Sequence, residues 1–415
     1  MNAADPQALG QRAEAMLSEL GAISSESGRL VRRFLSPEHR RAADLVARWM
    51  RGTGLAVSED ALGTVRGRIG SGKRLLIGSH IDTVVDAGIY DGTLGVVAGL
   101  LAAEHFGNGG HKLPFGFDVL AFGDEEGSRF PATLASSLAC AGAFRPDMLT
   151  LTDAQGTTLA DALRAYGKNP DDIPAAAYSR GEVLAYVEPH IEQGPLLEAR
   201  NQPLGVVTAI IGQTYLLVEI FGEAGHAGTV PMLMRRDALA GAAEVMLHAE
   251  QLARDTKGEV VATVGRMSLE PGAANVIPGH TVLTLDVRSG NDAARTRFVE
   301  AFKSGCREIA DRRHLGLSIK PTREVPTTPC DPELQQLLAI AVTDVGGEPL
   351  RLGSGAGHDG QAMAKLCPIG MLFVRCRGGI SHNPMEYVSP RDMGLAVAAL
   401  IGFIERFDPA GLPSQ

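Results

Sequence analysis

The sequence predicts an α/β fold in which helices cover a sheet and a smaller domain is inserted into the larger one. Three observations carry this expectation. Four short apolar runs each end in a cluster of polar residues; the texture changes between about Gly212 and Pro326 and then changes back; and 415 residues exceed what one ordinary core accommodates. With 45% hydrophobic and 21% charged residues the chain has the balance of a globular protein, which excludes disorder and fibre.

Taken in order, residues from about Pro6 to Met50 place apolar side chains at helical spacing (Leu9, Ala13, Met16, Leu17, Leu20, then Ala43, Val46, Trp49, Met50), interrupted at Ser36-Pro37. Buried strands are expected at Leu75–Ile77 before Gly78-Ser79-His80, and at Phe117–Phe122 before Gly123-Asp124-Glu125-Glu126. Two more are expected at Val183–Val187 before Glu188-Pro189-His190, and at Met371–Val374 before the loop with Ser381-His382. Open α/β sheets gather their sites at the carboxyl ends of such strands. In the middle, the pattern gives strand Thr214–Phe221, helix Arg235–Arg254, strands Glu259–Ser268 and Thr281–Arg288, helix Asp292–Asp311 and strand Leu315–Pro321. That β-α-β-β-α-β order is a ferredoxin-like unit. The expected division is therefore 1–211 with 327–415 as the larger domain and 212–326 as the insert.

A formal charge of −9 argues against nucleic-acid or anionic-membrane surfaces, both of which need a basic field, and leaves a small molecule as the expected partner. The five cysteines are scattered and never form a CxxC pair, so neither a disulfide framework nor a thiolate zinc site is suggested. With no signal-like start and no apolar run of membrane-spanning length, the expected location is cytoplasmic.

The chemistry-bearing segments suggest a metal centre. His80 and Asp82 stand two apart at a strand end and so share a face, which lets Asp82 hold one ring nitrogen of His80 while the other binds metal. Asp91 follows in a glycine-framed loop and is placed to bridge two ions. Glu125 and Glu126 are adjacent acids that point in different directions, one toward a metal and one toward a water as base. His190 and His382 complete the set from distant loops. Any one of these reads equally well as a solvated turn; four such loops after apolar runs do not. A nitrogen-and-oxygen donor set without cysteine suits Zn²⁺ or Mn²⁺.

These residues lie in the ordered motifs GSHIDTV, YDGTLGV, DEEGSRF, HIEQGPLLE, GHAGTVPM, ANVIPG, SGAGHDG and GGISHNP. Through them the chain resembles, over nearly its full length, the amidase, hydantoinase/carbamoylase family of dinuclear metallohydrolases. That family includes allantoate amidohydrolases, N-carbamoyl-L-amino-acid hydrolases and ureidopropionases. The resemblance implies a metallopeptidase-like catalytic domain, with a mixed sheet flanked by helices, and an inserted lid and dimerisation domain that makes a homodimer. It implies two divalent ions per subunit, Mn²⁺ or Zn²⁺ with Co²⁺ or Ni²⁺ as alternatives. Their ligands would be His80, Asp91, Glu126, His190 and His382, with Asp91 bridging, Glu125 as general base and His226 as oxyanion donor. It also places Gln213, Asn275 and Arg288 on the substrate carboxylate, with Gly357 and His358 in a glycine loop facing the substrate.

The segment Phe373-Val374-Arg375-Cys376-Arg377 resembles the allantoate amidohydrolase version, in which Arg375 or Arg377 supplies donors to a second ureido arm. Pairing of these arginines with nearby acids such as Glu386 is the plain alternative. Gly360-Gln361 departs from the family's usual Ala-Met. Two rivals are a deacylase or peptidase of the same superfamily, which usually lacks the HIEQGPLLE stretch, and a catalytically dead binding module, which would lack a ligand or the base.

Overall fold

A computed structural model of the chain describes residues 5–108 and 113–409. The chain divides into two compact units, Met1–Thr208 with Pro329–Gln415, and Ala209–Thr328, against the expected cuts at 211/212 and 326/327. In chain order the strands up to the division are β1 Ala56–Glu59, β2 Val65–Ile69, β3 Arg74–His80, β4 Gly116–Phe122, β5 Val183–Ile191 and β6 Leu204–Ile210. Then come β7 Gly212–Phe221, β8 Gly225–His226, β9 Val261–Glu270, β10 Val276–Ile277, β11 His280–Ser289 and β12 Gly316–Val325, followed by β13 Thr328–Pro329, β14 Leu350–Ser354 and β15 Ile369–Val374.

The large sheet runs β1-β2-β4-β3-β5-β15-β6-β13, with β14 against β6. Strands β4, β3, β5 and β15 are mutually parallel, while β1, β2 and β6 join antiparallel, so the sheet is mixed. Every residue of β3, β4, β5 and β15 is buried. Parallel strands covered on both faces need continuous apolar runs, and that is why these four were legible as runs. Their carboxyl ends deliver His80, the Asp124–Glu126 loop, His190 and the loop to His382.

Helix Thr93–Asn108 packs on β3 and against Pro390–Arg406, which also meets Pro6–Gly21 and Pro332–Asp344. The first and last of these helices cross closely: a Cβ at Gly10 would collide with the Pro390 carbonyl, and one at Gly394 with the Pro6 carbonyl. Ser36-Pro37 does not break one long helix. The first helix ends at Gly21, and Ser36 caps a second, Pro37–Gly52, by accepting from the His39 N–H at 3.1 Å with Pro37 in the first turn.

The unit Ala209–Thr328 holds an antiparallel sheet in the order β12-β7-β11-β9. Alternate residues of β7 and β11 (Leu216, Val218, Ile220; Leu283, Leu285, Val287) pack with helices Ala238–Asp255 and Asp292–Arg313. The first helix starts at Ala238, not Arg235, because Asp237 caps it through the N–H groups of Leu239 and Ala240. A two-stranded ribbon, β8 with β10, was not expected. The five cysteines are free and buried, and no described helix is long and apolar enough to cross a membrane.

Candidate active site

The parallel strands bring three histidines and two acids together around Asp91. The Nε2 atoms of His80 and His190 lie 3.5 Å apart, and Asp91 Oδ1 stands 3.5 Å from the first and 3.2 Å from the second. On its other side, Asp91 Oδ2 is 3.3 Å from His382 Nε2, which is itself 3.4 Å from Glu126 Oε2. Two trios of donors result, His80–Asp91–His190 and Asp91–Glu126–His382, each with its atoms within 4.8 Å of one another. Asp91 belongs to both and gives a different oxygen to each, the arrangement of a bridging carboxylate.

Backbone and side-chain contacts behind the site orient these donors. His80 Nδ1 faces the Asp82 carbonyl at 3.1 Å and its carboxylate at 3.4 Å, while His190 Nδ1 faces the Ile191 carbonyl at 2.9 Å. Both rings therefore hold a proton on Nδ1 and turn Nε2 toward Asp91. Asp82 also accepts from the N–H groups of Glu125 at 3.1 Å and Glu126 at 3.2 Å, so it fixes His80 and the acidic loop at once. Asp91 Oδ2 receives bonds from Gln193 at 2.9 Å and Ser381 at 2.7 Å, and Glu386 accepts from the N–H groups of Tyr90 and Asp91. Gly92, with φ of 67°, lies against the His80 imidazole where any Cβ would overlap the ring. His382 and Gln193, which both reach Asp91, adopt φ values of 54° and 56°, in the left-handed region that side chains other than glycine rarely enter.

The electrostatics call for positive charge. Burial, with Glu126, Asp359 and Asp82 close by, pushes Glu125 well above the usual carboxylate range against the pull of His80. Glu126 is raised to about 7 by burial and Asp91. Asp91 itself would be raised by burial, but His190, His382 and His80 hold it well below the ordinary value. Glu126 Oε1 is buried without a partner among the described residues. Crowded buried acids, an orphaned carboxylate oxygen and imidazole Nε2 atoms aimed inward fit a pair of divalent cations. A further grouping, Glu188–His190–His358, is a supporting layer. There Glu188 is occupied by the Ser79 hydroxyl and the Gly360 N–H, and His358 Nε2 by the Ser354 hydroxyl.

Two sequence expectations change here. His358 is 1% exposed, with its ring centroid 4.4 Å from that of His190 in an edge-on arrangement, so it backs a candidate ligand instead of facing substrate. Arg375 spends its fork on Asp392, with two bonds of 3.0 Å, and reaches Asn201, so it is not a spare donor; Arg377 lies over the Tyr387 ring. Neither arginine pairs with Glu386. Gly357 runs beside the expected base: a Cβ there would stand 3.5 Å from Glu125 Oε1.

The remaining expected residues lie on the unit Ala209–Thr328. Gln213 and Arg288 are cross-strand partners on the sheet face away from the helices. Arg288 is steadied by Asp286 at 2.9 Å and the Tyr215 hydroxyl at 3.2 Å. His226 on β8 pairs with Val276 on β10, and the Ala227 N–H donates to the Asn275 carbonyl, so His226 and Asn275 are brought together. The Gly228 N–H donates to His226 Nδ1 at 3.0 Å, which puts the proton of the neutral ring on Nε2 as an outward donor.

Sequence reasoning missed Glu188, Gln193, Ser381 and Glu386. An acid inside the otherwise apolar run of β5 was the available signal for Glu188. Gln193 and Ser381 lie inside HIEQGPLLE and GGISHNP, which was their signal, and Glu386 left none.

Residues 76–406 match the model of peptidase family M20/M25/M40. An allantoate deiminase of Arabidopsis thaliana is 40% identical, covering 96% of this chain and 82% of its own length. An N-carbamoyl-L-amino acid amidohydrolase of Geobacillus stearothermophilus is 39% identical, with coverages of 94% and 97%. Among solved structures, an amidase of the hydantoinase/carbamoylase family from Burkholderia multivorans superposes with a TM-score of 0.89 at 31% identity, over 95% of this chain and 97% of the other.

Proposed function

The chain belongs to peptidase family M20/M25/M40, and from that premise we propose that it hydrolyses a ureido C–N bond in a small carboxylate-bearing substrate, allantoate in the first place. N-carbamoyl-L-amino acids and 3-ureidopropionate are the alternative substrates, the first supported by the 39% identical amidohydrolase. The observation that carries the reading is Asp91 offering one oxygen to each of two donor trios with Glu125 alongside, Glu125 Oε2 being 4.0 Å from His80 Nε2.

His80, Asp91 and His190 would hold one ion and Asp91, Glu126 and His382 the other. Mn²⁺ or Zn²⁺ suits these donors, with Co²⁺ or Ni²⁺ as alternatives. When bound, two divalent ions lower the pKa of water and polarise the carbonyl. Glu125 takes the proton of the attacking water and returns it to the leaving nitrogen. Carbamate leaves and decomposes to ammonia and carbon dioxide, with ureidoglycine as the other product from allantoate. Asp82 keeps His80 and the Glu125–Glu126 backbone in register. His226 Nε2–H serves as oxyanion donor, while Arg288, Gln213 and Asn275 bind the carboxylate. The unit Ala209–Thr328 acts as lid and dimerisation surface, and the enzyme works in the cytoplasm.

The test is a panel of allantoate, N-carbamoyl-α-amino acids and 3-ureidopropionate, with Mn²⁺, Zn²⁺ or Co²⁺ supplied and ammonia measured. Release from allantoate is expected. Activity confined to N-carbamoyl amino acids would move the substrate to the first alternative, and a metal-loaded protein inert on all three would end the proposal.

A further inference from the structure

Between helices Pro6–Gly21 and Pro37–Gly52 the chain carries a fully buried arginine, Arg32, at 0% exposure. Taking a guanidinium out of water costs several kcal/mol, and the group keeps its charge, so a buried one needs fixed acceptors around it. Arg32 Nε donates to the Ile81 carbonyl at 2.6 Å. One terminal nitrogen donates to the carbonyls of Leu20 at 2.9 Å and Ile23 at 3.1 Å, at the carboxyl end of the first helix, where the helix dipole favours a cation. Among the described residues no carboxylate forms an ion pair with it. The acid whose field acts on it is the buried Asp82.

Ile81 is the residue between His80 and Asp82. The main chain adds to the grip: the Arg32 N–H donates to Thr83 Oγ1 at 2.9 Å, the Thr83 N–H to the Arg32 carbonyl at 3.0 Å, and the Ala87 N–H to the Leu30 carbonyl at 3.1 Å. Two residues on, the Phe34 carbonyl accepts from Arg129 at 2.9 Å, and Arg129 belongs to the loop that bears Glu125 and Glu126. One irregular segment thus ties down both loops that Asp82 joins.

We propose that Arg32 is a positioning residue for hydrolysis: by holding the Ile81 carbonyl, it sets the turn that aims His80 and, through Asp82, the Glu125–Glu126 backbone. This rests on the strand-end cluster being the two-metal hydrolase site argued above. Nε and one terminal nitrogen reach carbonyls on separate segments, a spread of two donor atoms that a lysine, with a single nitrogen, lacks.

The experiment uses the full-length protein loaded with Co²⁺, as wild type, Arg32→Met, Arg32→Lys and Thr83→Val. Thermal melts, Co²⁺ titrations followed by visible absorption, and kcat with KM on the best ureido substrate are measured for each. Outer-shell partners of metal ligands are worth roughly 10–100-fold in affinity or activity. On that scale a folded Arg32→Met should bind Co²⁺ about tenfold more weakly with an altered spectrum, and lose kcat about thirtyfold with KM within about threefold. Arg32→Lys should recover part of the loss, because the charge returns without the fork. Wild-type Co²⁺ affinity, spectrum and kcat in a folded Arg32→Met would overturn the proposal. Should that variant not fold, Thr83→Val, which deletes the acceptor of the Arg32 N–H, is expected to shift the same spectrum and lower kcat; an unchanged spectrum and rate would overturn it equally. A wild-type protein that cleaves no ureido substrate defeats the functional reading instead, and the Co²⁺ titrations still decide the role of Arg32.

Discussion

His80 and His190, each 1% exposed, have their Nδ1 atoms committed to backbone carbonyls, whereas His226 stands exposed on a two-residue strand with one nitrogen tied to its own loop. The same contrast separates the rest of the two units. Asp91, Asp82 and Glu188 are buried, and each carboxylate accepts two bonds from other segments of the chain; Gln213 and Arg288 rest on the sheet face away from the helices with a few cross-strand ties. A network that is fixed before substrate arrives does not have to reorganise during the reaction. Its failure is accordingly abrupt, because removing one member leaves others buried and unpaired. Groups on the open face carry less interlocked structure, so their loss should be graded.

The sharpest way to break this comparison is Asp91→Asn. Elemental analysis should find less than one ion per chain and ammonia release should vanish; two ions retained would show that Asp91 is not shared. Glu125→Gln should keep the metal yet lower kcat by about 10²–10⁴-fold, the range for a general base. In the second unit, His226→Ala should leave metal content intact and reduce kcat by about 10²–10³-fold, as for a lost oxyanion donor. Loss of metal in that variant would erase the distinction between the units.

Acid should strike the first unit through His39. Burial, followed by Arg32, Arg40 and Arg129, lowers its pKa from 6.5 to about 3. The unfolded chain therefore binds the extra proton across that window, and stability present above pH 6.5 is lost as pH falls toward 3. At pH 4.5 the loss attributable to this ring is roughly 2–3 kcal/mol. Urea unfolding of wild type and His39→Gln at pH 7.5 and 4.5 measures it; equal pH slopes would remove His39 as the cause. The smallest effect is expected for Arg288→Lys, which keeps the charge and loses the fork: KM up about tenfold with kcat little changed.

The parallel strands and most candidate ligands were legible because each is local. An apolar run followed by His-x-Asp or Asp-Glu-Glu announces both a buried strand and what stands at its end. The contacts that decide whether a polar residue faces the site or the core are not local. Arg375 looked like a donor until Asp392, on the last helix, was seen to occupy it. His358 looked like a pocket residue, but Ser354 and the His190 ring draw it inward. Arg32 has no sequence signature at all, since its partners are three main-chain carbonyls whose identity any residue could supply. The β8–β10 ribbon, two residues a side, is too short for alternation to register.

The glycine-mediated crossing of Pro6–Gly21 with Pro390–Arg406 bears on how the protein comes into being during translation. Chains grow from the amino end at about 5–20 residues per second, and domains generally fold as units. The insert, contiguous from Ala209 to Thr328, can finish while the ribosome is still adding β15 and the stretch that ends in His382. The larger unit must wait, with one face of its first helix uncovered and the segment to His382 not yet in place, until Pro390–Arg406 has been added.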